Sequence, residues 1–543
     1  MKQIRILLPT TFFIVFLFVL VQVSVGQKFL TSSTKETKNH LIIGTIGSPT
    51  LFNPYFSADS SSGQVEALLF NGLITYDDQL QPIPDLAERW EVSEDGYSWT
   101  FHLKKGVQFH DGQEVTARDV VFSYNIPRSQ KYAGPRASDF EKIQSIRAVD
   151  RHTVQFVLSE PYAPFLSVCS FAILPAHQLE QVPVEQLAEH PFNTKQPIGT
   201  GPYRFVEWKD GQYIQLQANP NFFKAAPSIE YLYFRIVPDQ NAQLIQLQSG
   251  AIDWMGIPAT DLTVGRLFEK QGKTKLHSAP SLSYTYIGYN LNRSQFQDVR
   301  VRQALTYAID RQKIVDVVLE GEGQVAHTHG SPLSWAYNDD ISTFEYDPEK
   351  AKKLLKEAGW IDTDGDGILE KDGEKLTFVL LTNQGNKIRE MTAQIVQQQW
   401  AEIGVNVTLQ FMEWSAFIHN YVDTKKFDAV LLGWSLGVDP DPTAIWHSAE
   451  SERGLNYISY DNSEVDRLLE ANTRALDPQE RKQILNQFQQ IIAKEQPYTF
   501  LYYSNGITAF PPQLQGFIPH PAASFYNIHH WRFSRPSEEE SQS

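Results

Sequence analysis

The pattern of apolar and polar positions predicts a buried strand in the last quarter of the chain. Residues 429–432, Ala-Val-Leu-Leu, form a short continuous apolar run, as in strands that are covered on both faces. Gly433, Trp434 and Ser435 then break the run. The sequence Asp-Pro-Asp-Pro at 439–442 cannot lie inside a helix, because each proline lacks a backbone donor and restrains the residue before it.

This strand would present an indole, a hydroxyl and two carboxylates at its carboxyl end. In α/β sheets, ligands bind outside the carboxyl ends of the strands. We therefore expect Trp434, Ser435, Asp439 and Asp441 to contact a ligand. The alternative is a proline-rich turn in which Trp434 belongs to the core.

The same stretch contains G-x-S-x-G at 433–437, the pattern of the nucleophile elbow of α/β-hydrolases. That motif needs a helix directly after the serine, so that the hydroxyl is presented on a tight strand-to-helix turn. Here the chain continues into two prolines instead. A secreted serine hydrolase that uses Ser435 is therefore only a distant alternative, and we expect a protein that is not an enzyme.

Strands and helices alternate through the rest of the chain, which predicts an α/β fold. A first strand starts near Leu41, and a serine-rich segment at 57–62 precedes a helical pattern of apolar positions. Ser60 and Ser61 would cap that helix, since serine is a preferred capping residue. They would also suit a polar loop that contacts a ligand, and both interpretations stay open.

The segment Asp-Thr-Asp-Gly-Asp-Gly at 362–367 resembles the start of a calcium loop. Asp362, Asp364 and Asp366 alternate, so three carboxylates can face one centre. The twelfth position should be glutamate and is Gly373, while Glu370 is one of two acids nearby. A structural calcium ion is one interpretation, and a plain acidic turn is the other; no other cofactor is expected.

Composition narrows the class of protein. At 543 residues, the chain should hold two or three domains. A net charge of -16 argues against a nucleic-acid partner, which needs a basic surface. The single Cys169 excludes an intrachain disulfide and a cysteine metal site, and its apolar neighbours predict that it is buried.

The N-terminus predicts export. Lys2 and Arg5 precede an apolar run at 6–25, and small residues at 24–26 offer a cleavage site. We expect a cleaved signal peptide over residues 1–26 and a polar linker at 27–39; an uncleaved membrane anchor is the alternative. No cysteine directly follows the apolar run, so a lipid-modified N-terminal cysteine is not expected. The predicted location is the periplasm or the cell surface.

Several motifs resemble a single family, in a constant order along the chain. The first is the segment 85–125, which predicts two strands around a Glu-Asp-Gly turn and a helix that begins at Thr116. Five others follow it: Pro-Ile-Gly-Thr-Gly-Pro-Tyr at 197–203, and the segments 296–315, 346–360, 427–446 and 463–492. The chain is similar to the peptide- and nickel-binding branch of the solute-binding proteins that serve ABC importers.

The resemblance implies an architecture. It is a two-lobed periplasmic-binding-protein fold, cluster C-like, with two α/β lobes joined by two crossing strands and closing on a ligand. A small extra domain would occupy 61–191, and lobe II would occupy 276–499. Lobe I would be assembled from 40–60, 192–275 and 500–543.

The resemblance also implies a ligand and partners. The ligand would be an oligopeptide or dipeptide, and the partner would be a membrane-embedded ABC permease with its ATPase subunits. The binding protein itself is expected to be a monomer. Asn383, Gln384 and Asn386 follow a predicted strand and precede a long amphipathic helix, so they would contact the peptide backbone or its carboxyl end. Simple helix capping is the alternative.

Asp439 and Asp441 are the acids that we expect to hold the peptide ammonium, because such a pair fixes the register of the ligand. Peptide-binding relatives place an aspartate where this chain has Gly437, so either acid could take its place, or the ligand lacks a free amine. A nickel chelate, with His327 or His329 facing the cleft, and a sugar are the alternative ligands. The pair His529-His530 is the other histidine cluster.

Overall fold

The structure is a computed structural model that describes residues 38–534. The predicted signal segment at 1–26, all but the last two residues of the predicted linker at 27–39, and the chain end at 535–543 lie outside the described residues. Between residues 38 and 534, no helix has both the length and the apolar character needed to cross a bilayer.

The strands are numbered in chain order. They are β1 (His40–Thr45), β2 (Ile74–Tyr76), β3 (Pro82–Pro84), β4 (Ala87–Val92), β5 (Ser98–Leu103), β6 (Ile143–Asp150), β7 (Thr153–Leu158), β8 (Tyr203–Lys209), β9 (Tyr213–Ala218), β10 (Tyr231–Ile236), β11 (Met255–Gly256), β12 (Lys275–Pro280), β13 (Ser283–Tyr289), β14 (Gly323–Val325), β15 (Glu370–Lys371), β16 (Glu374–Lys375), β17 (Thr377–Asn383), β18 (Asn406–Met412), β19 (Ala429–Ser435), β20 (Tyr498–Phe510), β21 (Leu514–Gln515) and β22 (Arg532–Phe533).

The α-helices are numbered in the same way. They are α1 (Ser60–Leu69), α2 (Ala117–Asn125), α3 (Phe165–Val168), α4 (Ala176–Leu179), α5 (Val184–Leu187), α6 (Gln240–Ser249), α7 (Leu262–Lys270), α8 (Ser294–Gln297), α9 (Val299–Tyr307), α10 (Arg311–Val317), α11 (Pro348–Glu357), α12 (Lys387–Ala401), α13 (Trp414–Phe417), α14 (Thr443–Trp446), α15 (Glu450–Arg453), α16 (Ser463–Arg474) and α17 (Pro478–Glu495). Short 3₁₀ or π turns lie at Ala137–Phe140, Pro191–Asn193, Ala259–Asp261, Ile418–Val422 and Ile528–His530.

Three larger sheets organise the described chain. The first has the strand order β1-β10-β9-β8, with β1 parallel to β10 and the other pairs antiparallel. The second, β4-β5-β7-β6, is antiparallel throughout and lies within the range predicted as the small domain. The third has the order β11-β20-β13-β19-β17-β18, and β12 and β14 also pair with β20. The domain boundaries themselves remain a prediction.

Strand β20 is a long element that pairs with different strands of the third sheet along its two halves. Its first half pairs with β13, where Phe500 lies opposite Tyr286, and its second half pairs with β12, where Thr508 lies opposite His277. Because β12 and β13 are consecutive in the chain, two antiparallel segments run side by side through this region. The hinge of two crossing strands that the resemblance implied stays a prediction.

Strand β19 is longer than the sequence predicted. The apolar run suggested an end at Leu432, but the strand continues to Ser435. Its last three residues pair in register with the start of β13, Ser283–Thr285, and these hydrogen bonds extend the strand beyond the apolar run. The strands β17 and β18 are parallel to each other, and β19 is parallel to β17, so all three end at one edge of the sheet.

The third sheet carries a core on each face. Leu431 packs in one cluster with Trp400, and Val430 packs in the other with Trp446; all four side chains are nearly or fully buried. Neighbouring residues of a strand point to opposite faces of the sheet. Because a core covers both faces here, the run is apolar throughout. Cys169 is fully buried in the first cluster of the molecule, as predicted, and burial raises the pKa of its thiol.

Candidate ligand-binding site

A cavity of about 690 Å³ lies at the edge where β17 and β19 end. The end of β19 and the start of β13 supply one wall, and residues around the start of α1 supply another. This volume is within the range of small-molecule sites. Six of the nine residues expected to bind a ligand line it: Ser60, Asn386, Trp434, Ser435, Asp439 and Asp441.

Trp434 is held by aromatic rings of the protein. Its ring lies parallel to those of Tyr286 and Tyr457, with centroid distances of 6.4 and 5.7 Å. Its Nε1–H donates to the Tyr498 hydroxyl at 3.4 Å. The indole was expected to stack on the ligand, but parts of its faces are occupied by tyrosines, and it is half-buried. Trp434 therefore presents a preformed, rigid apolar surface to the cavity.

Asp439 is already paired within the protein. Arg481, on α17, donates from Nη1 to Oδ2 at 2.9 Å and from Nη2 to Oδ1 at 2.7 Å. The Arg481 side chain is only 7% exposed and that of Asp439 is 17% exposed. This bidentate pair neutralises the carboxylate, so Asp439 is not a free acceptor for a ligand ammonium.

Asp441 has one engaged and one free carboxylate oxygen. Its Oδ1 accepts from the Thr443 hydroxyl at 2.7 Å, the Thr443 backbone N–H at 3.3 Å and Asn472 Nδ2 at 2.9 Å. Its Oδ2 accepts no hydrogen bond from residues 38–534. Loss of hydration and the nearby Asp439 carboxylate raise the pKa of Asp441 to about 7. A cation from the ligand would favour the ionised form.

Arg389 is a cation of the cavity that sequence reasoning missed. It lies in the first turn of α12, and its Nη1 donates to Asn383 Oδ1 at 2.8 Å. Within the described chain no aspartate or glutamate forms an ion pair with it, and its guanidinium lies 6.0 Å from the Trp414 ring centroid. Burial lowers the pKa of Arg389, which therefore favours an anionic partner. One sequence signal could have identified Arg389. It is a cation in the first turn of a helix, where the helix dipole favours an acid.

The three residues expected before α12 have different roles. Asn386 lines the cavity, and its Oδ1 caps the helix by accepting from the Arg389 backbone N–H at 3.0 Å. Asn383 is buried and holds the Arg389 side chain, so it acts on the site through Arg389. Gln384 is exposed and does not line the cavity; its backbone N–H donates to the Met412 carbonyl.

In the serine-rich segment, the residue that caps the helix is Asp59 and not Ser60 or Ser61. Asp59 is the N-cap of α1 and accepts from the Ser62 backbone N–H at 3.0 Å. Ser60 lines the cavity, whereas Ser61 does not. Asp59 also accepts from Trp414 Nε1 at 3.3 Å, which links α1 to the first residue of α13.

Further contacts join the start of α12 and the loop before it to residues 238–261. Lys387 Nζ lies 2.6 Å from an Asp261 oxygen, and the Lys387 backbone N–H donates to Gln240 Oε1 at 2.8 Å. Gly385 has a positive φ of 80°, and a Cβ there would lie 1.6 Å from the Pro238 carbonyl oxygen. Only glycine allows this approach, because any side chain would overlap the facing backbone.

The local structure around Ser435 is not that of a nucleophile elbow. Ser435 ends β19, and the next helix, α14, starts only at Thr443. The strand-to-helix turn that the hydrolase motif requires is therefore missing at this position. No hydrogen bond joins Ser435 to a histidine within residues 38–534. These findings argue against the hydrolase alternative.

His329 faces the cavity, as the nickel alternative required, but its hydrogen bonds hold it in a tautomer that does not suit metal binding. Its Nδ1 accepts from Trp446 Nε1 at 3.0 Å, and indole N–H groups only donate. The proton of the neutral imidazole is therefore on Nε2, the nitrogen left for the cavity. Burial lowers the pKa of His329 to about 3. A metal could bind Nε2 only if the proton moved to Nδ1. There it would face the indole N–H of Trp446, which is also a donor.

The other histidines lie away from the cavity. His327 is not among the lining residues, and burial lowers its pKa to about 4. His529 is buried against Phe222, also with a pKa lowered to about 4, and neither it nor His530 lines the cavity.

The acidic loop brings together a slightly different set of carboxylates from the one expected. Ligand atoms of Asp362, Asp364 and Glu370 lie within 4.8 Å of one another. Asp366, the third expected ligand, instead pairs with the Lys375 ammonium, which also lies 3.0 Å from Asp364 Oδ2. Three carboxylate oxygens suit a hard cation such as calcium. The Lys375 ammonium would compete with that cation for the Asp364 carboxylate.

Comparison with known proteins places the chain in a family. The sequence model of the bacterial extracellular solute-binding proteins, family 5, matches residues 81–456. The oligopeptide-binding protein AppA of Bacillus subtilis (strain 168) is 44% identical over 520 residues, which cover 93% of this chain and 95% of AppA.

Two solved structures share the fold. AppA from Bacillus subtilis in complex with a nonapeptide gives a TM-score of 0.89 at 43% identity, covering 92% of this chain and 99% of AppA. NikZ from Campylobacter jejuni in complex with Ni(L-His) gives 0.83 at 30% identity, covering 92% of this chain and 100% of NikZ. These matches confirm the predicted two-lobed α/β fold of cluster C. The chain belongs to the family 5 bacterial extracellular solute-binding proteins.

Proposed function

We propose that this protein captures peptides outside the cytoplasmic membrane and delivers them to the permease of an ABC importer. One observation carries the proposal: a single cavity contains a carboxylate with a free oxygen, Asp441, and a guanidinium without a carboxylate partner, Arg389. A peptide with free termini has the complementary charges, an ammonium at one end and a carboxylate at the other.

The energetics favour such a ligand. A buried charge without a partner is costly, and a counter-ion that replaces its lost hydration recovers much of that cost. Asp441 would receive the ammonium, because Asp439 is already paired with Arg481. Arg389 would receive the carboxylate, since its fork of donors matches the two oxygens. Asn383 and Asn386 would position Arg389 rather than bind the peptide alone.

Capture would proceed by closure of the two lobes. The contacts of Lys387 with Asp261 and Gln240, and of Trp414 with Asp59, would form as the walls meet. A ligand that touches both walls shifts the equilibrium towards the closed form. The relative AppA is named for oligopeptides, which agrees with this use of the cavity.

The remaining parts of the proposal concern location and assembly. We propose an exported monomer that acts in the periplasm or at the cell surface, with its signal segment removed, and that docks on a membrane permease coupled to ATPase subunits. It would bind its ligand without chemical change, as a solute-binding protein and not an enzyme.

A melting-temperature screen tests the proposal. The ligands would be di- to pentapeptides, sugars, and nickel with histidine. A ligand at a hundred times its Kd stabilises the folded protein by about 2.7 kcal/mol, which is readily measured. We expect stabilisation by peptides. Stabilisation by sugars or by nickel with histidine, without any effect of peptides, would contradict the proposed ligand and leave the fold unchanged.

A further inference from the structure

Glu322 is an acid of the cavity that the pair Asp441 and Arg389 does not use. It directly precedes β14 and is one of the lining residues. Its Oε2 accepts from the Ser278 hydroxyl at 2.7 Å and from Asn505 Nδ2 at 2.9 Å. The bonds from Asn505 and Ser278 lower the pKa of this carboxyl below its ordinary value, so Glu322 is ionised at neutral pH.

The other oxygen of this carboxylate is open. Oε1 accepts no hydrogen bond from residues 38–534, yet it is not fully buried, and the Glu322 side chain is 18% exposed. Within the described chain its one ion-pair partner is Arg266, whose Nη2 lies 3.9 Å away, beyond hydrogen-bond distance. The Arg266 side chain is 63% exposed and stays hydrated, so a pair at this distance is weak. Oε1 can therefore accept from a closer cation.

Glu322 belongs to the wall of the cavity that β20 forms. Gly323, the next residue, pairs with Ser504 of β20, and the Asn505 backbone N–H donates to the Glu322 carbonyl at 3.0 Å. Ser504, Asn505 and Gly506 all line the cavity. The carboxylate and the strand beside it are therefore parts of one wall, joined by backbone and side-chain hydrogen bonds.

The other acids of the cavity already have roles. Within the described chain three of them line it, Asp59, Asp439 and Asp441. Asp59 caps α1, Asp439 is paired with Arg481, and Asp441 would hold the peptide ammonium. A peptide held by its two ends would therefore leave Glu322 without a cation from the ligand backbone. A side chain of the peptide is the remaining source of such a cation.

We propose that Glu322 is the acceptor of a subsite for the basic side chain of a lysine or arginine in the bound peptide. The ammonium or guanidinium would donate to Oε1, while Ser278 and Asn505 continue to hold Oε2. A direct charged hydrogen bond would replace the long pair with Arg266, and it is the stronger interaction. An acidic side chain would be repelled, and an apolar one would desolvate Oε1 without giving it a partner. This subsite rests on the proposed peptide-binding function.

Calorimetry on the full-length protein tests the subsite. The probes are trialanine and its variants in which each position in turn carries lysine, Nε-acetyllysine, norleucine or glutamate. At one position, lysine should bind about tenfold more tightly than norleucine, as expected for a hydrogen bond between charged groups. Acetylation removes the charge and should lose that gain, and glutamate should bind less tightly than norleucine. High salt should reduce the gain, because it screens partly exposed charges.

Variants assign the effect to Glu322. In Glu322→Gln, the preference for lysine over norleucine should disappear. Glu320→Gln, at an exposed acid two residues earlier that does not line the cavity, should retain the full preference. Arg266→Gln removes the competing guanidinium and should increase the preference, which a purely structural role of Glu322 would not produce. The peptide series in the unaltered protein gives a result even if a variant fails to fold.

The outcomes separate the subsite from the proposed function. If trialanine binds but lysine is no better than norleucine at every position, the subsite is wrong and the peptide function stands. If Glu322→Gln keeps the preference for lysine, the assigned acceptor is wrong and the subsite is overturned. It is also overturned if Glu322→Gln removes the cost of N-acetylation, because Glu322 then holds the peptide terminus. If no peptide binds, the proposed function fails and the subsite fails with it.

Discussion

Arg481 holds both carboxylate oxygens of Asp439, with N–O distances of 2.9 and 2.7 Å. Two acids, Asp439 and Asp441, stand two residues apart in the chain, yet they have different surroundings. One is neutralised by a nearly buried guanidinium, and the other keeps an oxygen free. We therefore propose that Asp439 has a structural role and that Asp441 binds the ligand.

We predict that Asp439→Asn lowers the free energy of unfolding by about 3 kcal/mol, because it leaves the Arg481 charge buried and unpaired. Urea denaturation measures this change. Glu464→Gln is a matched control that breaks the exposed pair with Arg467, and it should cost less than about 1 kcal/mol. A stable Asp439→Asn variant that no longer distinguishes free from acetylated peptides would show that Asp439 is the ammonium acceptor instead.

The raised pKa of Asp441 predicts how peptide affinity depends on pH. Below about pH 7 the carboxyl group of the unliganded protein is protonated, and an ammonium ligand must displace that proton. Affinity should therefore rise by about tenfold per unit up to about pH 7. It should fall again where the peptide amine, with a pKa of about 8, loses its own proton.

Calorimetry of one peptide between pH 5 and pH 9 measures this profile. In Asp441→Asn the affinity should be weak and the rise below pH 7 should be absent. Asp364→Asn, the same change at an exposed acid away from the cavity, should keep the full profile. A rise of the same slope in Asp441→Asn would contradict the assignment.

Glu66 should make the fold less stable as the pH rises from about 4.5 to about 8. Burial raises the pKa of this carboxyl to about 8, although the Ser57 hydroxyl lies 2.7 and 2.9 Å from its oxygens. Between about pH 4.5 and pH 8 the unfolded chain releases this proton while the folded chain retains it. Each unit in that window should lower the free energy of unfolding by up to about 1.4 kcal/mol, with no further loss above about pH 8.

Urea denaturation at pH 6 and pH 8 tests this effect. Glu66→Gln should lose less stability between the two values than the unaltered protein, by about 2 kcal/mol or more. Glu88→Gln, at an exposed position, should behave like the unaltered protein. Equal losses in Glu66→Gln and the unaltered protein would show that Glu66 is ionised throughout.

Calcium binding at the acidic loop is a separate proposal. We expect calcium to raise the melting temperature through Asp362, Asp364 and Glu370, and a chelator to reverse the rise. Lys375→Met should strengthen the effect, because the ammonium no longer competes for Asp364. The same calcium-dependent rise in Asp364→Asn and in the unaltered protein would rule out this site.

Local sequence patterns predicted much of the fold because they report local physics. The apolar run before Gly433 is buried on both faces, and the Asp-Pro-Asp-Pro segment indeed keeps helix away from Ser435. The end of β19 was missed because its last three residues are held by β13, a strand far away in sequence. Burial of Cys169 followed from its apolar neighbours.

The candidate site was less predictable, because its charges are assigned by long-range partners. Asp439 and Asp441 look alike in sequence, and only Arg481, on a later helix, distinguishes them. Arg389 resembled any surface cation until the fold placed it beside Asn383 and Trp414. Asn383 ends β17, Gln384 follows it, and both are close in sequence to Asn386, but only Asn386 lines the cavity.

The most direct test of the account uses one peptide in four forms: free, N-acetylated, C-amidated, and blocked at both ends. Calorimetry should show that the free form binds most tightly, that each block weakens binding by about tenfold or more, and that the double block abolishes it. Asp441→Asn should remove the cost of acetylation alone, and Arg389→Gln the cost of amidation alone. If the doubly blocked peptide binds as tightly as the free one, the two charges do not hold the termini and the central claim is wrong.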